Sequence, residues 1–167
     1  MGERRRGMDN DVKPTHYPPS TIHYNPSFLV QSDTTVGLLS KDAKRLSAIK
    51  ERDVNKPFLI SVSSFKELKE FARVPKKYKK FIRRKKRATF IYPNTLAIRV
   101  VKDNPHSHFL KRFGWFYSTS ANKSGESFDF DYIKDKVDII VSDSSGFSQR
   151  SSSSLFRLSR VKKRRIR

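Results

Sequence analysis

Eight consecutive residues, Ser118-Thr119-Ser120-Ala121-Asn122-Lys123-Ser124-Gly125, gather hydroxyls, an amide and small side chains directly behind the aromatic run Trp115-Phe116-Tyr117. At the carboxyl end of a strand, where open α/β sheets bind ligands, such a stretch can cradle a phosphate or carboxylate with side-chain oxygens and free backbone N–H groups. The same residue types also make an ordinary strand-to-helix turn, and both readings stand. A second group is Lys50-Glu51-Arg52, with Lys56 close behind. Alternate residues of an extended chain share a side, so Lys50 and Arg52 can converge on a triphosphate through charge-assisted hydrogen bonds. A solvated helix end would favour the same cations through its dipole. Ser32-Asp33-Thr34-Thr35 is a third small-polar turn behind an apolar run.

Several other chemistries are excluded or discounted. The chain has no cysteine, so disulfides, cysteine zinc sites and a cysteine nucleophile are out. It contains no Gly-x-x-x-x-Gly-Lys loop, Gly-x-Gly-x-x-Gly turn or Gly-x-Ser-x-Gly elbow. Any nucleotide must therefore be held by side chains and individual backbone amides. His106-Ser107-His108 reads as a polar first helical turn rather than a metal site, and no protein side chains are expected to hold a metal.

Lys plus Arg total 37 against 16 Asp plus Glu, a net charge of +21, which suits a phosphate polymer. Lys76, Lys77, Lys79, Lys80, Arg83, Arg84, Lys85, Lys86 and Arg87 crowd one segment, with Tyr78, Phe81 and Ile82 placed to face the core. That arrangement predicts a cationic ridge for a nucleic-acid backbone. No apolar stretch approaches the ~18 residues that span a bilayer, so a cytoplasmic protein with no membrane partner is expected.

The elements that must position these groups alternate. Residues 1–26 form a proline-interrupted arm. Ser27–Gln31 and Phe58–Val62 read as buried strands, with a helix between them capped by Ser40 and ending near residues 50–52. Ser64 and Glu67 make a capping-box pattern for a second helix, and Pro75 opens a third. Thr89–Tyr92 and Leu96–Val101 form a hairpin-like pair about Pro93-Asn94, and Asn104-Pro105 starts a helix. Trp115–Thr119, Val137–Val141 and the run from Leu155 to Leu158 complete the strands. The expectation is a single α/β domain over residues 27–158 with a mixed sheet, followed by a basic tail at 159–167.

In order and spacing, residues 27–158 resemble the YrdC-like family of threonylcarbamoyl-adenylate synthases. The family's opening strand and Pro-Thr-Asp-Thr-x-Tyr-Gly-Leu turn are similar to Phe28–Leu38, and its Lys-x-Arg signature to Lys50-Glu51-Arg52. Its later Lys-Pro pair corresponds to Lys56-Pro57, and its Leu-Ala-x-Arg-Val strand to Leu96–Val100. The Ser-Thr-Ser-Ala-Asn-x-Ser-Gly motif is intact at Ser118–Gly125. The resemblance implies a twisted mixed sheet with flanking helices. It also implies synthesis of threonylcarbamoyl-AMP from L-threonine, bicarbonate and ATP with Mg²⁺, for modification of adenosine 37 in tRNA by partner proteins.

By the same resemblance, Lys50 and Arg52 would be catalytic and, with Lys56, would bind the ATP phosphates. Thr95, Ser118, Ser120 and Asn122 would line the nucleotide site, and Thr34 and Arg99 would hold threonine. Departures are also legible: Gln31-Ser32 stands for the family's Pro-Thr, Val36 for its turn tyrosine, and Arg84-Lys85-Lys86-Arg87 for its Trp-Pro-Gly-Pro. They give a second expectation, a tRNA- or double-stranded-RNA-binding protein on the same fold with weak or no catalysis.

Overall fold

The computed structural model describes residues 25–167. Most of the expected arm, residues 1–24, lies outside the described residues. The strands are β1 (Phe28–Gln31), β2 (Val36–Ser40), β3 (Leu59–Val62), β4 (Ala88–Ile91), β5 (Ala97–Val100), β6 (Phe116–Ser120), β7 (Ile139–Val141), β8 (Ser154–Leu158) and β9 (Lys163–Arg165). The helices are α1 (Ala43–Ile49), α2 (Phe65–Phe71), α3 (Lys79–Arg84), α4 (Pro105–Phe113) and α5 (Phe130–Lys134), with a 3₁₀ turn at Lys76–Tyr78. All the strands join one mixed sheet in the order β7-β1-β2-β6-β3-β5-β4-β8-β9. The pairs β1–β7, β3–β5 and β4–β8 are parallel and the others antiparallel.

The period of two along each strand decides where a ligand can go. Register places Ile60 beside Ile98, Ile98 beside Phe90, and Phe90 beside Phe156. These residues pack against Leu68 of α2 and Ile82 of α3. On the β1–β2 side, Leu29 and Leu38 pack with Leu46 of α1 and Ile133 of α5. The opposite face of β1, β2 and β6 presents Phe28, Val30, Leu39 and Phe116 to Leu110 of α4. There Phe28 meets the rings of Phe109 and Phe116 edge-on, at 5.4 and 5.5 Å between centroids. Further along that face, Leu59, Thr89, Ala97, Arg99 and Ser118 line a cleft rather than a helix interface.

Local signals set most helix starts. Asn104 caps α4 in a reciprocal box with Ser107, with Pro105 in the first turn. Ser64 caps α2, but the Glu67 carboxylate accepts from the Ser63 N–H at 2.8 Å rather than from the cap residue. Asp42, not Ser40, caps α1. Ser40 instead ends β2, a strand that the sequence does not predict. The segment after Pro75 starts as a 3₁₀ turn before becoming α3. The basic tail also differs from expectation, since Lys163–Arg165 pairs with β8 as the outermost strand. At the other rim, β7 leaves Ile139, Ile140 and Val141 between 37% and 42% exposed.

Candidate functional site

The cleft on the open sheet face has a volume of about 450 Å³. It brings together Thr34, Arg52, Lys56, Arg99, Ser118 and Ser120 from segments far apart in sequence. Ser118 and Ser120 alternate with Thr119 on β6, so the hydroxyl-rich motif enters the site along a strand in the middle of the sheet. Arg52 follows α1. Its guanidinium lies over the Phe58 ring, 4.3 Å from the centroid, and Nη2 donates to the carbonyls of Lys56 at 2.9 Å and Pro57 at 3.1 Å.

Lys50 and Asn122 do not line the cleft; they touch each other just beyond it. The Lys50 ammonium donates to the Asn122 backbone carbonyl, which ties the end of α1 to the bend after β6. Burial, then the neighbouring Arg52 charge, pull the Lys50 pKa below the ordinary lysine value. The Asn122 amide is spent on its own loop, donating to the carbonyls of Lys123 at 2.7 Å and Glu126 at 2.8 Å. Thr95 is exposed at the β4–β5 turn, with φ +69° and its N–H given to the Tyr92 carbonyl. It is not among the lining residues.

Arg99 is 4% exposed. Its Nη1 donates to Thr34 Oγ1 at 2.8 Å, and its Nε lies 3.6 Å from Asp33 Oδ1. The same carboxylate oxygen is 3.5 Å from His106 Nδ1, a long contact that is electrostatic more than a formed hydrogen bond. Burial pushes the Asp33 carboxyl up, but His106 and the Arg99 charge outweigh it and hold its pKa below the usual value. Burial lowers the His106 pKa despite the pull of Asp33, so the imidazole is neutral at neutral pH. The sequence reading missed this role because it took His106 for a polar helical turn. Its buried position depends on α4 packing over the sheet.

Other contributions to the cleft were also missed. Ser153 shares a 2.9 Å hydrogen bond with Thr89, and Arg167 Nε donates to the Ser153 carbonyl at 3.2 Å. Ser152, Ser153 and Arg167 all reach the lining through β8 and β9. For the serines the sequence does carry a signal, since Ser152-Ser153-Ser154 stands where the family has Pro-Ser-Thr; for Arg167 it carries none.

Tyr78 and Ile82 are buried and Phe81 half-buried, so the basic segment turns its apolar side inward as expected. Its cations do not make one ridge, however. Lys76 and Lys79 line a groove against α2, Arg84, Lys85, Lys86 and Arg87 line a hollow of about 330 Å³ that also includes Lys102, Arg150 and Asp33, and Arg83 lines both. Lys77 and Lys80 are exposed and line neither. Among the described residues there is no group of three or more His, Asp or Glu side chains placed to hold a metal ion. No helix among them is long and apolar enough to cross a membrane.

The sheet and its cleft define an α/β protein with an open sheet face lined by hydroxyls, the buried Arg99 and the half-buried Arg52. A family model for Sua5/YciO/YrdC proteins, described as "Telomere recombination", matches residues 30–167, and the chain belongs to that family. No curated protein sequence matches it. Among solved structures, a double variant of P. abyssi Sua5 is similar with a TM-score of 0.72 at 18% identity, covering 85% of this chain and 52% of that one. P. abyssi Sua5 complexed with L-threonine gives 0.69 at 18% identity, covering 85% and 50%. The MTH1692 protein of Methanobacterium thermoautotrophicum gives 0.62 at 23% identity, covering 85% and 79%. This chain thus spans about half the length of the P. abyssi structures.

Proposed function

We propose that the chain is an L-threonylcarbamoyl-adenylate synthase acting in tRNA modification in the cytoplasm. The observation that carries this reading is the convergence of Arg52, Lys56, Ser118 and Ser120 with Thr34 and Arg99 in one cleft. The L-threonine bound by P. abyssi Sua5 is in keeping with it.

In this reaction the threonine amine combines with bicarbonate to give a carbamate and water. A carbamate oxygen then attacks the α-phosphorus of ATP, and pyrophosphate leaves. No covalent enzyme intermediate is needed, so positioning and charge stabilisation supply the rate gain. Arg52, fixed by two carbonyls and the Phe58 ring, together with Lys56 would neutralise charge on the phosphates. Lys50 would act from just behind them, holding the loop after β6. Ser118 and Ser120 would donate hydroxyls to the adenylate. Arg99 would pair with the threonine carboxylate, sharing its charge with Asp33, while Thr34 orients the guanidinium. Mg²⁺ would arrive on the ATP phosphates.

The deciding experiment is pyrophosphate release from ATP by the purified protein. Release must require both threonine and bicarbonate, and Lys50→Ala or Ser120→Ala must abolish it. A second reading, a tRNA- or duplex-RNA-binding protein with little catalysis, is favoured by the exposed cations at Lys85, Lys86 and Arg87. It takes precedence if the protein binds RNA in a salt-sensitive way and releases no pyrophosphate.

A further inference from the structure

The groove between α2 and the 3₁₀–α3 segment lies on the helix-covered side of the sheet, away from the cleft, and nothing in the proposed reaction uses it. Its volume is about 290 Å³, at the small end of ligand pockets, roughly 300–1,000 Å³. Leu68, Ala72, Val74 and Ile82 make an aliphatic floor. Lys69, Arg73, Lys76, Lys79 and Arg83 stand around it, all exposed. Among the described residues no carboxylate lines the groove, and none of the five cations is in an ion pair.

We propose that this groove docks an acidic peptide segment of a partner protein, one that seats an aliphatic side chain on the floor and sets flanking carboxylates against the rim. This goes beyond the catalytic reading and does not depend on it. Two observations favour a peptide over RNA. A base needs a free aromatic face to stack on, and Phe65, the one ring in the lining, already has Lys102 Nζ 4.9 Å and the Arg83 guanidinium 5.9 Å from its centroid. The lining side chains are otherwise hydrocarbons and cations, so a base edge could be met by donors alone, which suits guanine and not the other bases. A phosphate backbone could satisfy the rim but would leave the half-buried Val74 and Phe65 uncovered. A leucine flanked by glutamates satisfies both, as in the helix-in-groove mode of recognition.

The test uses the full chain and a fluorescein-labelled acidic peptide with two leucines four residues apart, followed by anisotropy at 0.15 M salt. A second peptide of equal charge carries alanines in place of the leucines, and an oligouridylate serves as the nucleic-acid probe. The leucine peptide is expected to bind at least tenfold more tightly than the alanine peptide. Arg73→Glu with Lys76→Glu should weaken it at least tenfold, and Lys86→Glu should leave it unchanged. Val74→Ser, a milder change at a half-buried floor position, should erase the preference for leucine, with circular dichroism confirming that each variant is folded. Equal binding of the two peptides, or no binding of either, overturns the proposal. So does oligouridylate binding that is tighter than the leucine peptide and lost on the Arg73 and Lys76 changes, which would make the groove a nucleic-acid surface.

Discussion

The cations of the cleft region and those of the α3 segment carry the same charge in different physical states. In and behind the cleft three of them are tethered: Lys50 to the Asn122 carbonyl, Arg52 to the carbonyls of Lys56 and Pro57, and Arg99 to Thr34 beside Asp33, while Lys56 is exposed. Along Lys76–Arg87 they are exposed, among the described residues none is in an ion pair, and Lys77 alone is held by a carbonyl, that of Val161. A tethered cation has little orientational freedom left to lose when an anion arrives. An exposed lysine loses rotamer freedom on binding and is screened by salt. Counting charges along the chain therefore conflates a pre-oriented site with a diffuse field.

The strongest way to break this contrast is to cut the tether on Arg99. Asp33→Ala leaves a buried guanidinium without its carboxylate, and stability should fall by about 3–5 kcal/mol, read from urea unfolding. Arg99→Met added to Asp33→Ala should restore part of the loss. A loss below about 1 kcal/mol would mean that Asp33 does not hold Arg99. Next, Arg52→Ala should lower pyrophosphate release about 100-fold while the fold persists. Arg52→Lys should recover little, because an ammonium lacks the planar fork that spans two carbonyls and stacks on Phe58.

A smaller effect is expected outside the cleft. Replacing Lys85, Lys86 and Arg87 together by Ala should reduce the salt slope of duplex-RNA binding by about two to three and leave pyrophosphate release unchanged. A matching drop in release would show that the two regions are not separable. The smallest effect is in acid. The depressed His106 pKa means that the unfolded chain takes up a proton below its ordinary value of 6.5 while the folded chain does not. Stability therefore declines as pH falls from 6.5 toward the folded pKa. Asp33, also depressed, adds a further loss as pH falls below 3.8. His106→Gln should flatten the first decline in a series of urea midpoints and shrink the second, since His106 is one of the groups that hold the Asp33 pKa down.

The sequence made much of the sheet legible because apolar periodicity marked β1, β3, β4, β5 and β6. Two strands escaped it for opposite reasons. β2 follows Ser32–Thr35 so closely that the small polar residues read as one long turn. β9 is Lys-Arg-Arg, with no apolar alternation, and is held by its backbone pairing to β8. In the site, Ser118 and Ser120 were legible because the motif is contiguous. Thr34, Arg52, Lys56 and Arg99 followed from the family resemblance, and the fold brings all four into the cleft. Asn122 and Thr95 were assigned from neighbouring motif residues, but the loop after β6 and the β4–β5 turn aim them elsewhere. His106 and Arg167 could not be read, since each acquires its neighbours only through contacts made across the sheet.

The central position of β6, between β2 and β3, has a consequence for how the molecule assembles. Its partners are laid down roughly sixty to eighty residues earlier in the chain, so these pairings close long loops and should form slowly. No early fragment of the polypeptide contains a rudimentary version of the binding surface. Ligand capture during refolding should therefore appear together with the final cooperative phase, and would serve as a clock for it.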